Sequence, residues 1–198
     1  EHERDYDILT GLYNRQAFNR VCTELFAAPE RMGVAALMMM DLDNLKHIND
    51  TYGHDWGDQY IRRTGQCLRE NTPAGTVCAR LSGDEFLVRF HGYRSRDAVR
   101  EKIDRLTTAM QQSVALMPSG NALHISLSGG IAWYPDDGQD WETLKKYADF
   151  AMYQVKHADK GRVEEFDIGV YNREAYAERT RREFRQLLSN AQVFYCFQ

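Results

Sequence analysis

The chain has 198 residues, 43% of them hydrophobic and 27% charged, with 25 basic against 29 acidic side chains and a formal net charge of −4. This is enough apolar material for one domain with a real core, and the interspersed signs argue against a basic nucleic-acid groove or a polybasic membrane anchor. No apolar run approaches the ~20 residues of a membrane-spanning helix, the charged opening EHERDYD is no signal peptide, and Cys22, Cys67, Cys78 and Cys196, scattered without a CxxC pair, read as reduced thiols in a cytoplasmic protein.

After DILTGLYNR, residues 15–27 carry Phe18, Val21, Cys22, Leu25 and Phe26 at helical intervals. VAALMMM, 34–40, is an unbroken apolar run, the pattern of a central strand buried on both faces, and it stops at Asp41. A helix is predicted over 55–70. TVCARL (76–81) and FLVRF (86–90) read as the arms of a hairpin whose turn holds Ser82, Gly83, Asp84 and Glu85. Residues 95–115 form a long amphipathic pattern with Val99, Ile103, Leu106 and Met110 on one stripe. HISLSGGIAWY (124–134) reads as a strand, 141–157 as a helix N-capped by Asp140, and VEEFD (163–167) as an edge strand. The order predicts an α/β (α+β) fold with a mixed, mainly antiparallel central sheet flanked by helices.

Taken alone, Asp84 and Glu85 are readable as residues of a turn. The strand that ends at Asp41 changes their meaning. If that strand neighbours the hairpin, Asp41, Asp84 and Glu85 crowd at one end of the sheet, where like charges resist ionisation unless a cation sits among them. Short carboxylates with phosphate oxygens as further ligands are the chemistry of Mg²⁺, and two such ions activate a hydroxyl and steady a reacting phosphate. A glycine-containing turn beside them lets backbone N–H groups approach phosphate.

Five ordered stretches, DILTGLYNR (7–15), DLDNLKHINDTYGHDWGD (41–58), RLSGDEF (80–86), SLSGGIAWYPDDG (126–138) and YADFAMYQVKHADKGR (147–162), make the chain resemble the GGDEF domain family, the diguanylate cyclases. The resemblance implies a nucleotidyl-cyclase palm-like fold that condenses two GTP into cyclic di-GMP, a bacterial second messenger, in a homodimer of facing domains. Carried onto this sequence, it makes Asp41, the Leu42 carbonyl, Asp84 and Glu85 ligands of Mg²⁺ or Mn²⁺, with Asp84 and Glu85 assisting deprotonation of the attacking hydroxyl. Ser82 and Gly83 fall in the phosphate-approaching turn, and Asn49 and Asp58 match positions that read the guanine edge. Lys46 matches a phosphate-contacting lysine, and Arg162 a phosphate-binding arginine with Lys156 or Lys160 as companion.

Three departures qualify the resemblance. Ser82 replaces the motif's first glycine, adding a side chain and the expectation of a strained positive φ and reduced activity. The interval from Tyr153 to Gly161–Arg162 is longer than usual, which leaves Lys156 and Lys160 as alternatives. The product-inhibition RxxD is missing, since the corresponding residues 73–76 are PAGT. Elsewhere the residues read as ordinary structure. Asp43, Asn44 and Asp50 are taken as solvated or turn groups, and His47 and His54 lack zinc-like partners. DLDNLKHIND fails as an EF-hand loop, NDT (49–51) as a meaningful sequon in a cytosolic chain, and DKGR as a P-loop.

Residues 171–190 read as a charged amphipathic helix followed by an apolar run, AQVFYCFQ. This junction resembles the linker from a GGDEF domain into an EAL phosphodiesterase domain. The expected division is therefore a GGDEF domain over 1–170 and, over 171–198, a linker helix with the start of an EAL domain. A sensory domain is expected upstream. Two functions follow: a working cyclase, or a catalytically weak GTP-binding module that controls an attached EAL phosphodiesterase.

Overall fold

The computed structural model describes residues 2–117, 119–120 and 122–189. In chain order the first half comprises α1 (His2–Asp5), α2 (Arg15–Phe26), a 3₁₀ turn at Pro29–Arg31, β1 (Val34–Leu42), α3 (Leu45–Tyr52), α4 (His54–Asn71), β2 (Val77–Ser82) and β3 (Glu85–Tyr93). The second half comprises α5 (Arg96–Gln112), β4 (Val114–Leu116), β5 (Ala122–His124), β6 (Leu127–Tyr134), α6 (Trp141–Ala158), β7 (Val163–Glu165) and α7 (Ile168–Ser189).

Because a strand sends successive side chains to opposite faces, the continuous apolar run of β1 requires cover on both sides. β1 accordingly lies at the centre of a five-stranded sheet ordered β2-β3-β1-β6-β7. Its neighbours β3 and β6 are antiparallel to it, and β7 joins β6 in parallel at the edge. Met38 and Met40 pack with Phe86, Val88, Phe90, Ile131 and Trp133 towards the stripe Val99, Ile103, Leu106 and Met110 of α5 and towards α4. Leu37 and Met39 pack with Leu87 and Ala132 towards Phe18 and Cys22 of α2 and Leu144, Ala148 and Met152 of α6. Each such fully buried side chain is worth about 1.5–3 kcal/mol relative to exposure, so the two apolar layers hold the carboxyl end of β1 in one place.

The mainly antiparallel palm-like sheet flanked by helices is as expected, and Asp140 caps α6, its Oδ1 accepting from Thr143 N at 2.8 Å. Several boundaries differ for identifiable reasons. α3 was not anticipated, because its eight residues bury only Leu45 and Ile48, too few for a visible period. The hairpin is tighter than expected, with β2 running through Ser82 and β3 starting at Glu85, so only Gly83 and Asp84 lie between. α5 ends at Gln112 and not at 115, because 114–116 pair with 122–124 as a separate two-stranded ribbon that also removes His124 from β6. α7 starts at Ile168, ahead of 171, where Asp167 Oδ1 accepts from Gly169 N and Val170 N at 2.6 and 3.0 Å.

Cys22, Cys67 and Cys78 are buried free thiols. Cys196 and the apolar run 191–198 lie outside the described residues. The chain divides into two compact units, through Phe166 and from Asp167 onward. No helix among the described residues is long and apolar enough to cross a membrane.

Candidate active site

The β1–β3 register sets Asp41 directly opposite Glu85, and Leu42 N donates to the Asp84 carbonyl at 3.0 Å. Three carboxylates from sequence stretches some forty residues apart are thus brought to one end of the sheet. Asp41 is 6% exposed, and its pKa is raised, first by burial, with Asp84 and Glu85 pushing in the same direction and Lys156 opposing them. Lys156, from the last turn of α6, places Nζ 2.5 Å from Asp41 Oδ2.

Asp41, Leu42, Lys46, Asp84, Lys156 and Lys160 line one cavity of about 570 Å³, with the first turn of α3 along its wall. The first N–H groups of a helix have no intrahelical acceptor, so this wall presents donors as well as Lys46 to an anion. Lys156 and Lys160 both reach the cavity, the first from α6 and the second from the turn before β7. Arg162 does not. It pairs with Glu164 at 3.3 Å and lines a separate cavity beside Arg100 and Ile103. Glu85 faces the other side of the hairpin, where it lines a cavity with Arg15, Lys145 and Asp149.

Asn49 and Asp58 sit away from these linings, at the elbow between α3 and α4. Asn49 Oδ1 is buried and has no hydrogen-bond partner. A Cβ on Gly57 would lie 1.9 Å from that oxygen. The glycine before Asp58 thus leaves room for the Asn49 amide, and the orphaned oxygen is a polar atom awaiting a donor.

The family profile described as "Diguanylate cyclase, GGDEF domain" matches residues 4–162. The chain belongs to the GGDEF domain family. The chain is 34% identical over 189 residues to the cyclic di-GMP phosphodiesterase NbdA of Pseudomonas aeruginosa, covering 95% of this chain and 24% of NbdA. It is 30% identical over 164 residues to the diguanylate cyclase DosC of Escherichia coli, covering 82% of this chain and 35% of DosC. The chain therefore spans between a quarter and about a third of these relatives. The isolated GGDEF domain of YfiN (TpbB) from Pseudomonas aeruginosa superposes with a TM-score of 0.75 at 31% identity, covering 82% of this chain and 95% of that one. The DgcB GGDEF domain of Caulobacter crescentus, solved with c-di-GMP, superposes at 0.69 and 27% identity, covering 81% of this chain and 95% of that one.

Within this GGDEF domain the donor set at Asp41, Leu42, Asp84 and Glu85 has the hard-oxygen chemistry that Mg²⁺ or Mn²⁺ accepts. The repulsion that Asp84 and Glu85 exert on the buried Asp41 is what a cation would relieve. Asp41, Leu42 and Asp84 offer oxygens of the kind such an ion takes in one cavity while Glu85 lines the neighbouring one, and no group of three His, Cys, Asp or Glu side chains that could hold a metal ion is found among the described residues.

Ser82 departs from its expected strain. It occupies the end of β2, and Gly83 carries the positive φ, +43°. The Ser82 hydroxyl donates to Glu85 Oε2 at 2.9 Å.

Asp43, read from the sequence as a solvated group, is 3% exposed. Ser126 and Ser128 hydroxyls donate to its two oxygens at 2.8 and 2.9 Å, so it ties the end of β1 to β6. Arg80 was also missed. Its Nε and Nη2 donate to the Gly83 carbonyl at 3.0 and 2.8 Å while Nη1 reaches Asp7 at 3.2 Å, linking the hairpin tip to the DILTG turn. An arginine three residues before the tip glycine was the available signal.

Proposed function

We propose that this GGDEF domain is a metal-dependent diguanylate cyclase that condenses two GTP into one cyclic di-GMP and two pyrophosphates. The observation that carries the reading is the pairing of Asp41 opposite Glu85, with Asp84 joined to the same strand end. In each half-reaction a 3′-oxygen forms a bond to an α-phosphorus, the bond from that phosphorus to the pyrophosphate oxygen breaks, and the hydroxyl proton leaves. Held by Asp41, the Leu42 carbonyl, Asp84 and, once its side chain turns from Arg15 and Ser82, Glu85, Mg²⁺ or Mn²⁺ would supply positive charge for the phosphates. Lys46, Lys156, Lys160 and the first turn of α3 receive the phosphate chain, with Gly83 leaving the hairpin tip open to it. Asn49 and Asp58 read guanine: the amide offers donor and acceptor, and Asp58 accepts from the ring N–H and the amino group, which rejects adenine. Arg162 acts on phosphate only if it leaves Glu164. Each domain binds one GTP, so two domains must face each other as a homodimer. We infer a cytoplasmic setting, with a sensory domain upstream and an EAL domain downstream.

A second reading is a GTP-binding regulatory domain that governs an attached EAL phosphodiesterase. The phosphodiesterase name of NbdA, of which this chain spans 24%, favours it. Incubation of concentrated protein with GTP and Mg²⁺, following cyclic di-GMP and pyrophosphate, separates the two. Pyrophosphate at twice the cyclic dinucleotide is the cyclase result. Saturable GTP binding without product, even after enforced dimerisation, is the regulatory one.

A further inference from the structure

Asp43, two residues past Asp41, is 3% exposed and lines the same cavity as Asp41 and Lys160. Its backbone N–H donates to the Ser126 carbonyl at 2.9 Å, and each carboxylate oxygen receives a serine hydroxyl, Ser126 on Oδ2 and Ser128 on Oδ1. Because a carboxylate can only accept, both hydroxyl protons point at Asp43 and the serine lone pairs are turned elsewhere. Ser128, fully buried and opposite Asp41 in the β1–β6 register, presents its lone pairs to the Gly161 N–H at 3.3 Å. Gly161 directly follows Lys160, and its φ of +84° is one that residues with a side chain rarely adopt. The turn leaves α6 at Asp159, whose N–H donates to the Val155 carbonyl, and rejoins the sheet where the Gly129 N–H meets the Arg162 carbonyl. Lys160 itself is exposed, so the backbone bond at Gly161 sets where its side chain starts.

We propose that Asp43 is a positioning residue of the phosphate cavity: through the Ser128 hydroxyl it fixes the Gly161 N–H and so aims Lys160 at the phosphate chain of GTP. The proposal rests on the reading of that cavity as the GTP site. A tie between β1 and β6 alone does not need a carboxylate, whose burial is more demanding than that of a neutral amide. The chain to Gly161 does need one. An amide at position 43 brings a donor, so one of the two serines must accept from it, and the direction of the bonds leading to Gly161 is no longer fixed. Asp43 thus acts on phosphate at second hand, by way of a hydroxyl, a backbone N–H and the neighbouring lysine.

The test is calorimetric titration, in Mg²⁺, with a GTP analogue carrying a methylene between the α- and β-phosphates, which measures binding whether or not the domain makes cyclic di-GMP. NMR follows the Gly161 amide. Lys160→Ala should weaken binding about tenfold. Asp43→Asn and Ser128→Ala should each weaken it about three- to fivefold and shift the Gly161 amide, and neither should weaken it further once Lys160→Ala is present. If Asp43→Asn does not fold, Ser128→Ala and its combination with Lys160→Ala decide. Failure of the parent to bind the analogue strikes the GTP site and this positioning with it. Parent binding that Lys160→Ala leaves intact, that the folded Asp43 and Ser128 variants leave intact, or that they weaken in full on top of Lys160→Ala, overturns the positioning alone.

Discussion

Lys156 and Asp41 form an ion pair between the last turn of α6 and the end of β1, with Nζ 2.5 Å from an oxygen of a carboxylate that is 8% exposed. The contact gives the carboxylate a countercharge inside the fold. A cation arriving at Asp41 must share it with, or take it from, this ammonium.

Asp41→Asn should separate stability from activity. The Asp41 carboxyl titrates above its ordinary 3.8, burial being the main cause. A native state that holds this proton more tightly than the unfolded chain loses stability as the pH rises from 3.8 through the raised value. The variant should therefore gain on the parent in urea unfolding as the pH rises from 3.8 through the raised value, while losing cyclic di-GMP synthesis. A stability difference that is flat over this interval would contradict the assigned shift.

Lys156→Met strands that carboxylate. Unfolding at neutral pH should show a loss of about 1–3 kcal/mol, largely absent when the same change is made on Asp41→Asn. If the two changes simply add, the pair is not the source of the cost.

Ser82→Gly removes the hydroxyl that holds Glu85 Oε2. Turnover should rise several-fold, with a stability loss of about 0.5–1 kcal/mol from the added backbone freedom. Unchanged or lower turnover would mean that Ser82 does not restrain the glutamate.

Guanine reading at the α3–α4 elbow is tested with GTP and ITP, which lacks the exocyclic amino group. Asp58→Ala should erase the preference for GTP. Gly57→Ala, which drives a methyl into Asn49 Oδ1, should weaken both nucleotides by about 1–3 kcal/mol. Equal binding of GTP by parent and variants would remove these residues from the site.

Arg80→Met cuts the hairpin tip from Asp7 and frees the Gly83 carbonyl. As a positioning residue, Arg80 should affect kcat while GTP affinity stays near that of the parent, and Arg80→Lys should restore only part of the rate because it cannot form the fork. A change confined to KM would argue for direct contact with nucleotide.

Much of this was legible in one dimension. VAALMMM could only be a strand covered on both faces, and the stripe from Val99 to Met110 could only be one side of a helix, because burial leaves its period in the sequence. α3 escaped notice because two buried residues make no period. The end of α5 was misplaced because the β4–β5 pairing that stops it is a contact between strands, not a property of residues 113–115.

The kinds of chemistry available, three carboxylates, a set of lysines and an amide with a neighbouring acid, were present in the order of residues and needed no coordinates. Which of them meet was decided by the fold. Asp43 looks like any surface aspartate until serines 83 and 85 positions away close on it. Arg162 stands beside Lys160 in the chain yet turns to Glu164 and a different cavity. Arg89 reads as the polar member of an alternating strand and is buried under α2 without a countercharge. A side chain's type travels with its own residue. Its partners and its exposure belong to whatever packs against it, and those neighbours come from distant parts of the chain.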